Sequence, residues 1–165
     1  MRITLYFGKW VDTYQGLLGT ALPDTFTTDF FLRTFSPFYA KLFDGIRHDS
    51  GDPKIWLEKV IGHFEKLGID TKPKRVVFSD GINSLDKVKT IIKDVDGRMM
   101  ASFGIGTWLT NDFEDIEPLN MVIKLVSAKK NAYEPQRFAI KLSDVIGKHN
   151  GDEATIQDYL KRISS

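Results

Sequence analysis

Four short apolar runs, separated by helix-like stretches, constrain the fold of this chain more than any other feature. They occupy residues 17–22, 45–49, 75–80 and 99–103, and each leads into polar residues or glycine. The run at 75–80, RVVFSD, has the β-branched and aromatic content of a buried strand. Such alternation of strands and helices predicts parallel strands with right-handed crossovers, and therefore an α/β fold.

The stretches between the runs carry clear helix signals. Asp52 is a good N-cap, and Pro53 suits the first helical position because its missing N–H is not needed there. The apolar stripe that follows is Trp56, Val60, Ile61, Phe64 and Leu67, with Gly68 as the expected stop. A second helix is predicted after Ser84, with Leu85, Val88, Ile91, Ile92 and Val95 on its buried face.

The spacing of the strand ends favours barrel units. These ends recur every 24 to 31 residues, at Asp24, Asp49, Asp80 and Gly104. A complete eight-unit α/β barrel takes about 250 residues, or about 31 per unit, so a chain of 165 residues cannot hold one. We expect residues 1–115 to form a partial barrel of about four βα units.

After residue 110 the pattern changes. Residues 121–126 (MVIKLV) and 138–143 (FAIKLS) have strand character and share an Ile-Lys-Leu core. We interpret them as an antiparallel pair joined by a polar loop at 127–136, followed by a terminal helix from about 152 to 163. Residues 116–165 would then pack on the partial barrel as a second unit.

Composition excludes several classes of protein. The formal net charge is +1, which gives no strong field to attract nucleic acid or an anionic membrane. The absence of cysteine excludes a disulfide framework and thiolate metal sites, and is consistent with a cytoplasmic location. No apolar run approaches the roughly 18 residues that a spanning helix needs, and residues 1–9 lack the apolar segment of a signal peptide.

Polar residues collect where the strands end, which is where parallel α/β proteins bind ligands. The first strand is followed by Asp24, Thr25, Thr27 and Thr28; the second by Arg47, His48, Asp49, Ser50, Gly51 and Asp52; the third by Ser79, Asp80 and Gly81; and the fourth by Gly104, Gly106 and Thr107. Carboxylates can hold hydroxyl groups or a bound Mg²⁺, and backbone N–H groups can hold phosphate. The pattern indicates a phosphorylated, polyhydroxylated ligand.

Several of these residues also have an ordinary structural interpretation. Asp52 is foremost a helix cap, and glycines in a Gly-x-Gly-Thr turn often serve only the strand-to-helix connection. His48, flanked by Arg47 and Asp49, can be an orienting partner or an acid–base group.

The string GIRHDSGDP at residues 45–53 resembles the signature of the nicotinate phosphoribosyltransferases. The same family pattern continues in register through LPDTFTTD at 22–29, VFSD at 77–80, SFGIGT at 102–107, PLN at 118–120 with VIKLV at 122–126, and KLSD at 141–144. Because these linked motifs keep their order and spacing, the resemblance covers nearly the whole chain.

The resemblance implies the C-terminal half of an irregular type II phosphoribosyltransferase α/β barrel, in an enzyme that is usually a homodimer. The enzyme would transfer phosphoribose from phosphoribosyl pyrophosphate to nicotinate, giving nicotinate mononucleotide for NAD biosynthesis. ATP hydrolysis accompanies this reaction, and Mg²⁺ neutralises the pyrophosphate. Nucleic acid and membranes are not expected partners.

Carried over by motif, the resemblance also implies roles for individual residues. The catalytic candidates are Asp24, Asp49 and Asp80, with Asp49 holding ribose hydroxyls. The substrate-binding candidates are Arg47, which would bind the nicotinate carboxylate or the pyrophosphate, His48, Ser50 and Gly81, and, around the 5′-phosphate, Gly104, Gly106 and Thr107. No residue is assigned as a metal ligand.

The sequence also departs from the family pattern. The family's phosphorylated histidine lies in a Gly-Thr…His-Glu segment that this sequence does not contain, and His48 belongs to a different motif. The aromatic residues that sandwich the pyridine ring are likewise absent. We therefore expect a C-terminal fragment that binds phosphoribose phosphates weakly and does not turn over alone.

Three alternatives remain. In nicotinamide phosphoribosyltransferases a run of glycines stands where this chain has residues 105–107. Quinolinate carries two carboxylates and would need more basic residues at the strand ends than Arg47 alone. The third alternative is a non-catalytic, phosphosugar-binding half-barrel, whose open sheet edges would favour association with another chain.

Overall fold

A computed structural model describes residues 3–111, 113–119 and 121–164 of the chain. Its centre is a four-stranded parallel sheet in the order β1-β2-β3-β4. The strands are β1 (Thr20–Ala21), β2 (Gly45–His48), β3 (Arg75–Phe78) and β4 (Met100–Phe103). All four predicted strands are present and neighbouring strands follow one another in the chain, so the predicted α/β class is confirmed.

Seven α-helices accompany the strands in the described residues. They are α1 (Ile3–Tyr14), α2 (Thr28–Thr34), α3 (Pro37–Leu42), α4 (Pro53–Lys66), α5 (Leu85–Val95), α6 (Thr107–Thr110) and α7 (Glu153–Ser164). A 3-10 turn lies at Ile146–Lys148. None of the helices in the described part of the chain combines the length and the apolar character needed to cross a bilayer.

Helices α4 and α5 begin at the predicted caps. The Asp52 carboxylate accepts a hydrogen bond from the Ile55 N–H at 2.8 Å, and the Ser84 hydroxyl accepts one from the Lys87 N–H at 3.2 Å. Each cap satisfies a backbone donor that the first turn would otherwise leave without a partner. Helix α4 ends just before Gly68, as its sequence predicts.

The main core lies between the sheet and the helices. Leu57, Val60 and Phe64 of α4 are buried together with Ile46 and Val76 of the sheet. A second group of buried residues joins the N-terminal helices to this core: Phe7, Phe31, Phe35 and Phe43, with ring centroids 4.7 to 5.8 Å apart for the pairs in contact. This packing fixes α1 and α2 against the body of the domain.

The polar residues after β1 begin a helix that the sequence analysis does not predict. The Thr27 hydroxyl accepts a hydrogen bond from the Phe30 N–H at 3.2 Å and thereby caps α2. The N–H and hydroxyl of Thr28 both donate to the Asp144 carboxylate, at 2.7 and 2.6 Å. These two threonines therefore hold the chain together rather than line an open cleft.

The antiparallel pair exists but does not lie where the sequence predicts it. It consists of β5 (Ser127–Ala128) and β6 (Arg137–Phe138), so the prediction of a strand at 121–126 is wrong. The side chains of that run are exposed, Ile123 by 87%. Its β-branched residues favour a strand only where a partner strand and an apolar face are available. Among the described residues the pairing reaches only the end of the run, where the Val126 carbonyl accepts a hydrogen bond from the Ala139 N–H at 2.8 Å. Asn120 of the PLN motif lies outside the described residues.

The predicted strand at 138–143 is also wrong beyond its first residue. The chain turns toward β1 soon after β6. Lys141 exchanges two backbone hydrogen bonds of 2.8 Å with Asn150, and the Leu142 N–H donates to the Thr25 carbonyl at 2.7 Å. Leu142 is fully buried in a small cluster with Ile156 of α7. The terminal helix is present as predicted.

Candidate functional site

The carboxyl ends of the parallel strands bring the predicted site residues to one edge of the sheet. The ladder continues past the strands, because the Ser79 N–H donates to the His48 carbonyl at 3.1 Å and the Gly104 N–H donates to the Phe78 carbonyl at 2.8 Å. Three carboxylates follow the first three strands: Asp24, Asp49 and Asp80. We call this region, with the residues next to those carboxylates, the strand-end edge.

Asp49 is held by a network from its own strand and the next one. An Arg47 Nη2 donates to Asp49 Oδ1 at 2.6 Å, and Arg47 Nε donates to the Ser79 hydroxyl at 2.8 Å. Burial raises the pKa of Asp49, but the hydrogen bond and charge of Arg47, the charge of Lys141 and the Ser79 hydroxyl outweigh it. The pKa of Asp49 is therefore below its ordinary value, and its carboxylate is ionised at neutral pH.

Asp24 is almost completely buried, with 1% of the residue exposed. Lys141 Nζ lies 2.8 Å from its Oδ2, and the hydroxyls of Ser50 and Ser143 each lie 3.4 Å from the same oxygen. Its Oδ1 has no hydrogen-bond partner among the described residues. A buried carboxylate of this kind needs a cation beside it, and Lys141 supplies one.

Two lysines from the C-terminal segment complete the strand-end edge. Lys141 Nζ is 3.5 Å from Asp49 Oδ2 in addition to its contact with Asp24. Lys148 Nζ is 2.7 Å from Asp80 Oδ1 and 3.4 Å from the Asp49 carbonyl oxygen. Sequence reasoning missed both residues, although the KLSD motif at 141–144 marks the segment that delivers Lys141.

His48 lies in the core beneath this edge. It is 1% exposed, and its ring packs against Trp56 and Phe78 with centroids 5.2 and 5.8 Å apart. Its Nε2 lies 3.1 Å from the Gly51 carbonyl oxygen, and its Nδ1 has no partner in the part of the chain that the structure describes. Burial lowers the pKa of His48 despite the opposing effects of that carbonyl and of nearby carboxylates.

The glycine turns lie beside the carboxylates. A Cβ on Gly104 would lie 3.0 Å from the Ser79 Cβ, so glycine here permits the close approach of the β4 end to the β3 end. Gly106 and Thr107 are exposed at the start of α6. The Gly81 carbonyl, after β3, accepts a hydrogen bond from Lys87 Nζ at 2.7 Å.

The donor set fits a polar organic ligand better than a resident metal ion. Among residues 3–111, 113–119 and 121–164, no group of three histidine or carboxylate side chains is placed to hold a metal. Each carboxylate of the strand-end edge instead contacts a lysine or an arginine. A metal bound here would have to displace those cations, so we assign none to the chain itself.

Another concavity lies away from this edge. An open groove of about 790 Å³ between α2, α4 and α7 is lined by Arg33, Lys59, Lys66 and Leu160, among others. None of the predicted catalytic or substrate-binding residues lines it.

The chain matches known proteins over nearly its whole length. The sequence model of the nicotinate phosphoribosyltransferase (NAPRTase) family matches residues 6–163. A nicotinate phosphoribosyltransferase of Pseudomonas syringae pv. tomato is 48% identical over 154 residues, which cover 93% of this chain and 36% of that protein. One from Chromohalobacter salexigens is 45% identical over 165 residues, covering 99% of this chain and 41% of that protein.

Solved structures give the same match. The crystal structure of a nicotinate phosphoribosyltransferase from Porphyromonas gingivalis superposes with a TM-score of 0.92 at 44% identity, covering 98% of this chain and 42% of that one. One from Vibrio cholerae gives a TM-score of 0.86 at 34% identity, covering 97% and 38%. This chain therefore spans about two fifths of the length of these relatives.

Proposed function

This chain belongs to the nicotinate phosphoribosyltransferase family, and on that premise we propose that its strand-end edge binds phosphoribosyl pyrophosphate for transfer of phosphoribose to nicotinate. The observation that carries the proposal is the convergence of Asp24, Asp49 and Asp80 with Arg47 and two lysines at one sheet edge. Carboxylates accept hydrogen bonds from sugar hydroxyls, and guanidinium and ammonium groups pair with phosphates or a carboxylate. Phosphoribosyl pyrophosphate carries sugar hydroxyls and phosphates, and nicotinate carries a carboxylate.

The reaction is a substitution at the anomeric carbon of the ribose. The ring nitrogen of nicotinate forms a bond to that carbon, while the bond from the carbon to the pyrophosphate oxygen breaks and pyrophosphate leaves with the electron pair. The products are nicotinate mononucleotide and pyrophosphate, and positive charge develops on the ribose during the transfer. Groups that stabilise this charge in a site shielded from water accelerate the step.

The residues of this chain have separate roles in that proposal. Asp49, ionised and fixed by Arg47, holds the ribose hydroxyls close to the developing charge. The half-exposed guanidinium of Arg47 offers further N–H groups to the nicotinate carboxylate or to the pyrophosphate. The turn containing Gly104, Gly106 and Thr107 receives the 5′-phosphate.

Mg²⁺ enters this scheme bound to the pyrophosphate of the substrate, as part of the substrate complex. ATP is the accompanying substrate expected from the family resemblance. The phosphorylated histidine of the family lies in a motif that this sequence does not contain, so coupling to ATP hydrolysis would use residues outside this sequence. The complete enzyme is expected to act as a homodimer in the cytoplasm.

The architecture proposed for the whole protein is an irregular α/β barrel. Residues 1–115 supply about four βα units of it, and residues 116–165 form the C-terminal unit packed on them. The order β1-β2-β3-β4, and the exposure of Met100 and Ala101 on the last strand, support continuation of the sheet by further strands.

Calorimetric titration of the 165-residue chain with phosphoribosyl pyrophosphate and Mg²⁺ tests the binding part of the proposal. We expect weak, saturable binding that Asp49→Asn reduces at least about tenfold, because a charge-assisted hydrogen bond is lost. Asp12→Asn is the matched control, since this carboxylate is exposed and distant in sequence from the edge. Equal binding by the Asp49 variant and the unaltered chain would refute the assignment.

A second experiment separates an enzyme from a phosphosugar-binding fragment. The isolated chain is incubated with phosphoribosyl pyrophosphate, Mg²⁺, ATP and nicotinate, and then with nicotinamide or quinolinate in place of nicotinate. We expect binding without nucleotide formation, because the family's phosphorylated histidine is absent. Formation of nicotinate mononucleotide would contradict this expectation. Faster nucleotide formation from nicotinamide or quinolinate than from nicotinate would assign that pyridine as the substrate instead.

A further inference from the structure

We propose that Lys141 is a positioning residue of the phosphoribosyl site. Its ammonium group is shared between Asp49 and the buried Asp24, and it thereby holds the Asp49 carboxylate in its ligand-binding orientation. The identity of the ligand in this inference rests on the proposed function, whereas the contacts of Lys141 with Asp24 and Asp49 do not depend on it. It assigns a role in the site to a residue from the C-terminal segment, which the strand-end motifs do not include.

The two oxygens of Asp49 have different cationic partners. Arg47 Nη2 lies 2.6 Å from Oδ1, and Lys141 Nζ lies 3.5 Å from Oδ2. Attraction from both ends opposes rotation of the carboxylate about its terminal torsion, which is otherwise broad. Arg47 alone would hold one oxygen and leave the other free to turn away from a sugar hydroxyl.

Asp24 explains why the ammonium group stays in place. Its Oδ2 lies 2.8 Å from Lys141 Nζ, and the carboxylate is buried on all sides. Without a cation between them, two carboxylates at this edge would repel each other. The ammonium group of Lys141 offsets that repulsion and bridges the two carboxylates. Its short contact with Asp24 anchors it, and its contact with Asp49 is the longer of the two.

The backbone delivers Lys141 to this position. Its N–H and carbonyl both form hydrogen bonds with the backbone of Asn150 at 2.8 Å. The next two residues donate to backbone carbonyls after β1: the Leu142 N–H to that of Thr25 at 2.7 Å, and the Ser143 N–H to that of Asp24 at 2.9 Å. The side chain of Leu142 is fully buried. The lysine therefore extends from a fixed backbone, unlike a surface lysine that samples many rotamers.

Lys130 is the matched control. It lies in the same C-terminal region, but 80% of its side chain is exposed, and its ion pair is with Glu134 rather than with the strand-end edge. An effect of general charge or of the surface will appear in both Lys130→Met and Lys141→Met. An effect that acts through Asp49 will appear in Lys141→Met alone.

The first measurement uses two ligands that differ in the sugar. Ribose 5-phosphate and inorganic phosphate are titrated into the 165-residue chain by calorimetry, and the ratio of their affinities is compared between variants. We expect Lys141→Met to lower the ribose 5-phosphate affinity about tenfold, the scale of one charge-assisted hydrogen bond, with little change for inorganic phosphate. Lys141→Arg should recover most of the loss. An equal loss for both ligands would overturn the proposal.

The second measurement needs no ligand. The side-chain carboxyl carbon of Asp49 is followed by NMR during an acid titration, with Arg47 and Lys148, the other cations near this residue, unchanged. Lys141→Met should shift the midpoint of Asp49 upward, and Lys141→Arg and Lys130→Met should not. An unchanged midpoint in Lys141→Met would refute the proposal, even if the chain bound ligands. Failure of the unaltered chain to bind either ligand would instead count against the proposed function alone.

Loss of folding must be kept apart from loss of positioning. Lys141→Met leaves the buried Asp24 carboxylate without its cation, which can unfold the C-terminal segment. The comparison is therefore repeated in an Asp24→Asn background, where no buried charge remains to be compensated. Because Asp24 anchors the ammonium group, the upward shift of the Asp49 midpoint between Asp24→Asn and Asp24→Asn/Lys141→Met should be smaller than the shift between the unaltered chain and Lys141→Met. A shift of equal or larger size would show that Asp24 does not hold Lys141 in place and would overturn the bridge.

Discussion

Replacement of Gly45 by alanine provides a direct test of the central sheet. Gly45 begins β2 and pairs with Arg75 of β3. A Cβ at this position would lie 2.0 Å from the Arg75 carbonyl oxygen, 2.7 Å from its carbonyl carbon and 2.9 Å from its Cβ. The atoms it would meet include backbone atoms of a paired strand, which cannot swing aside as the end of a flexible side chain can.

The geometry sets the size of the effect. Contacts of this kind are relieved only by moving β2 and β3 apart by about 1 Å or more, since carbon and oxygen atoms pack at about 3.5 Å. The movement strains two neighbouring hydrogen bonds, from the Gly45 N–H to Gly19 at 3.1 Å and from the Arg75 N–H to Asp44 at 2.9 Å. Overpacking costs about 1–3 kcal/mol, and each lost hydrogen bond costs about 0.5–1.5 kcal/mol. We expect a loss of about 2–6 kcal/mol.

Urea unfolding followed by far-ultraviolet circular dichroism measures this loss as a change in the free energy of unfolding. Gly62→Ala is the matched control: Gly62 lies within α4, and a Cβ there would meet nothing within 4 Å. Alanine at that helical position should stabilise the chain by about 0.5–1 kcal/mol. A Gly45→Ala variant within about 0.5 kcal/mol of the unaltered chain would show that our account of the β2–β3 contact is wrong.

Three further predictions concern the site and its supports. First, the free energy of unfolding should fall as the pH drops below about 6.5, the ordinary pKa of histidine. Burial keeps the pKa of His48 lower in the folded chain than in the unfolded chain, so the unfolded chain binds the proton more readily. Urea unfolding at several pH values measures this dependence on pH, and His48→Gln should reduce it. A separate loss is expected in the same urea series below about pH 4, because the Asp49 carboxyl then takes up a proton in the unfolded chain, while its lowered pKa keeps it ionised in the folded chain. Second, Asp52→Ala should reduce the free energy of unfolding by about 1 kcal/mol through loss of the α4 cap, and an unchanged thermal midpoint would contradict this. Third, Leu142→Ala should cost about 2–5 kcal/mol because its side chain is fully buried, and protease digestion should then cut the C-terminal segment faster than in the unaltered chain.

The features that sequence reasoning predicted correctly depend on short stretches of chain. The α4 and α5 helices carry their own caps, so Asp52 and Ser84 can be recognised without knowledge of the fold. The predicted buried face is correct for α4, but in α5 Leu85 and Ile92 are 63% and 51% exposed. The four strands follow from apolar runs bounded by polar residues. The order of strands in the sheet agrees with the interpretation as barrel units, in which strands that follow one another in the chain are neighbours.

The features it missed depend on residues distant in sequence. Residues 121–126 have strand propensity, but propensity cannot supply a partner, and Ile123 is exposed instead. Helix α1 depends on the packing of Phe7 against aromatic residues of α2 and the following segment. Lys141 enters the site because the chain reverses after β6 to pair with residues near β1, and no local signal encodes that reversal.

The pairing of the first strand's end with the C-terminal segment has a consequence for biosynthesis. Thr28 and Asp144, which help to hold the two together, lie 116 residues apart. At about 5–20 residues per second, a ribosome needs roughly 6 to 23 s to make the intervening chain. During that interval the Asp24 carboxylate has no lysine beside it, so the end of β1 must remain hydrated while β2 to β4 are being made. A segment that is translated after all four strands of this sheet thus completes the end of β1.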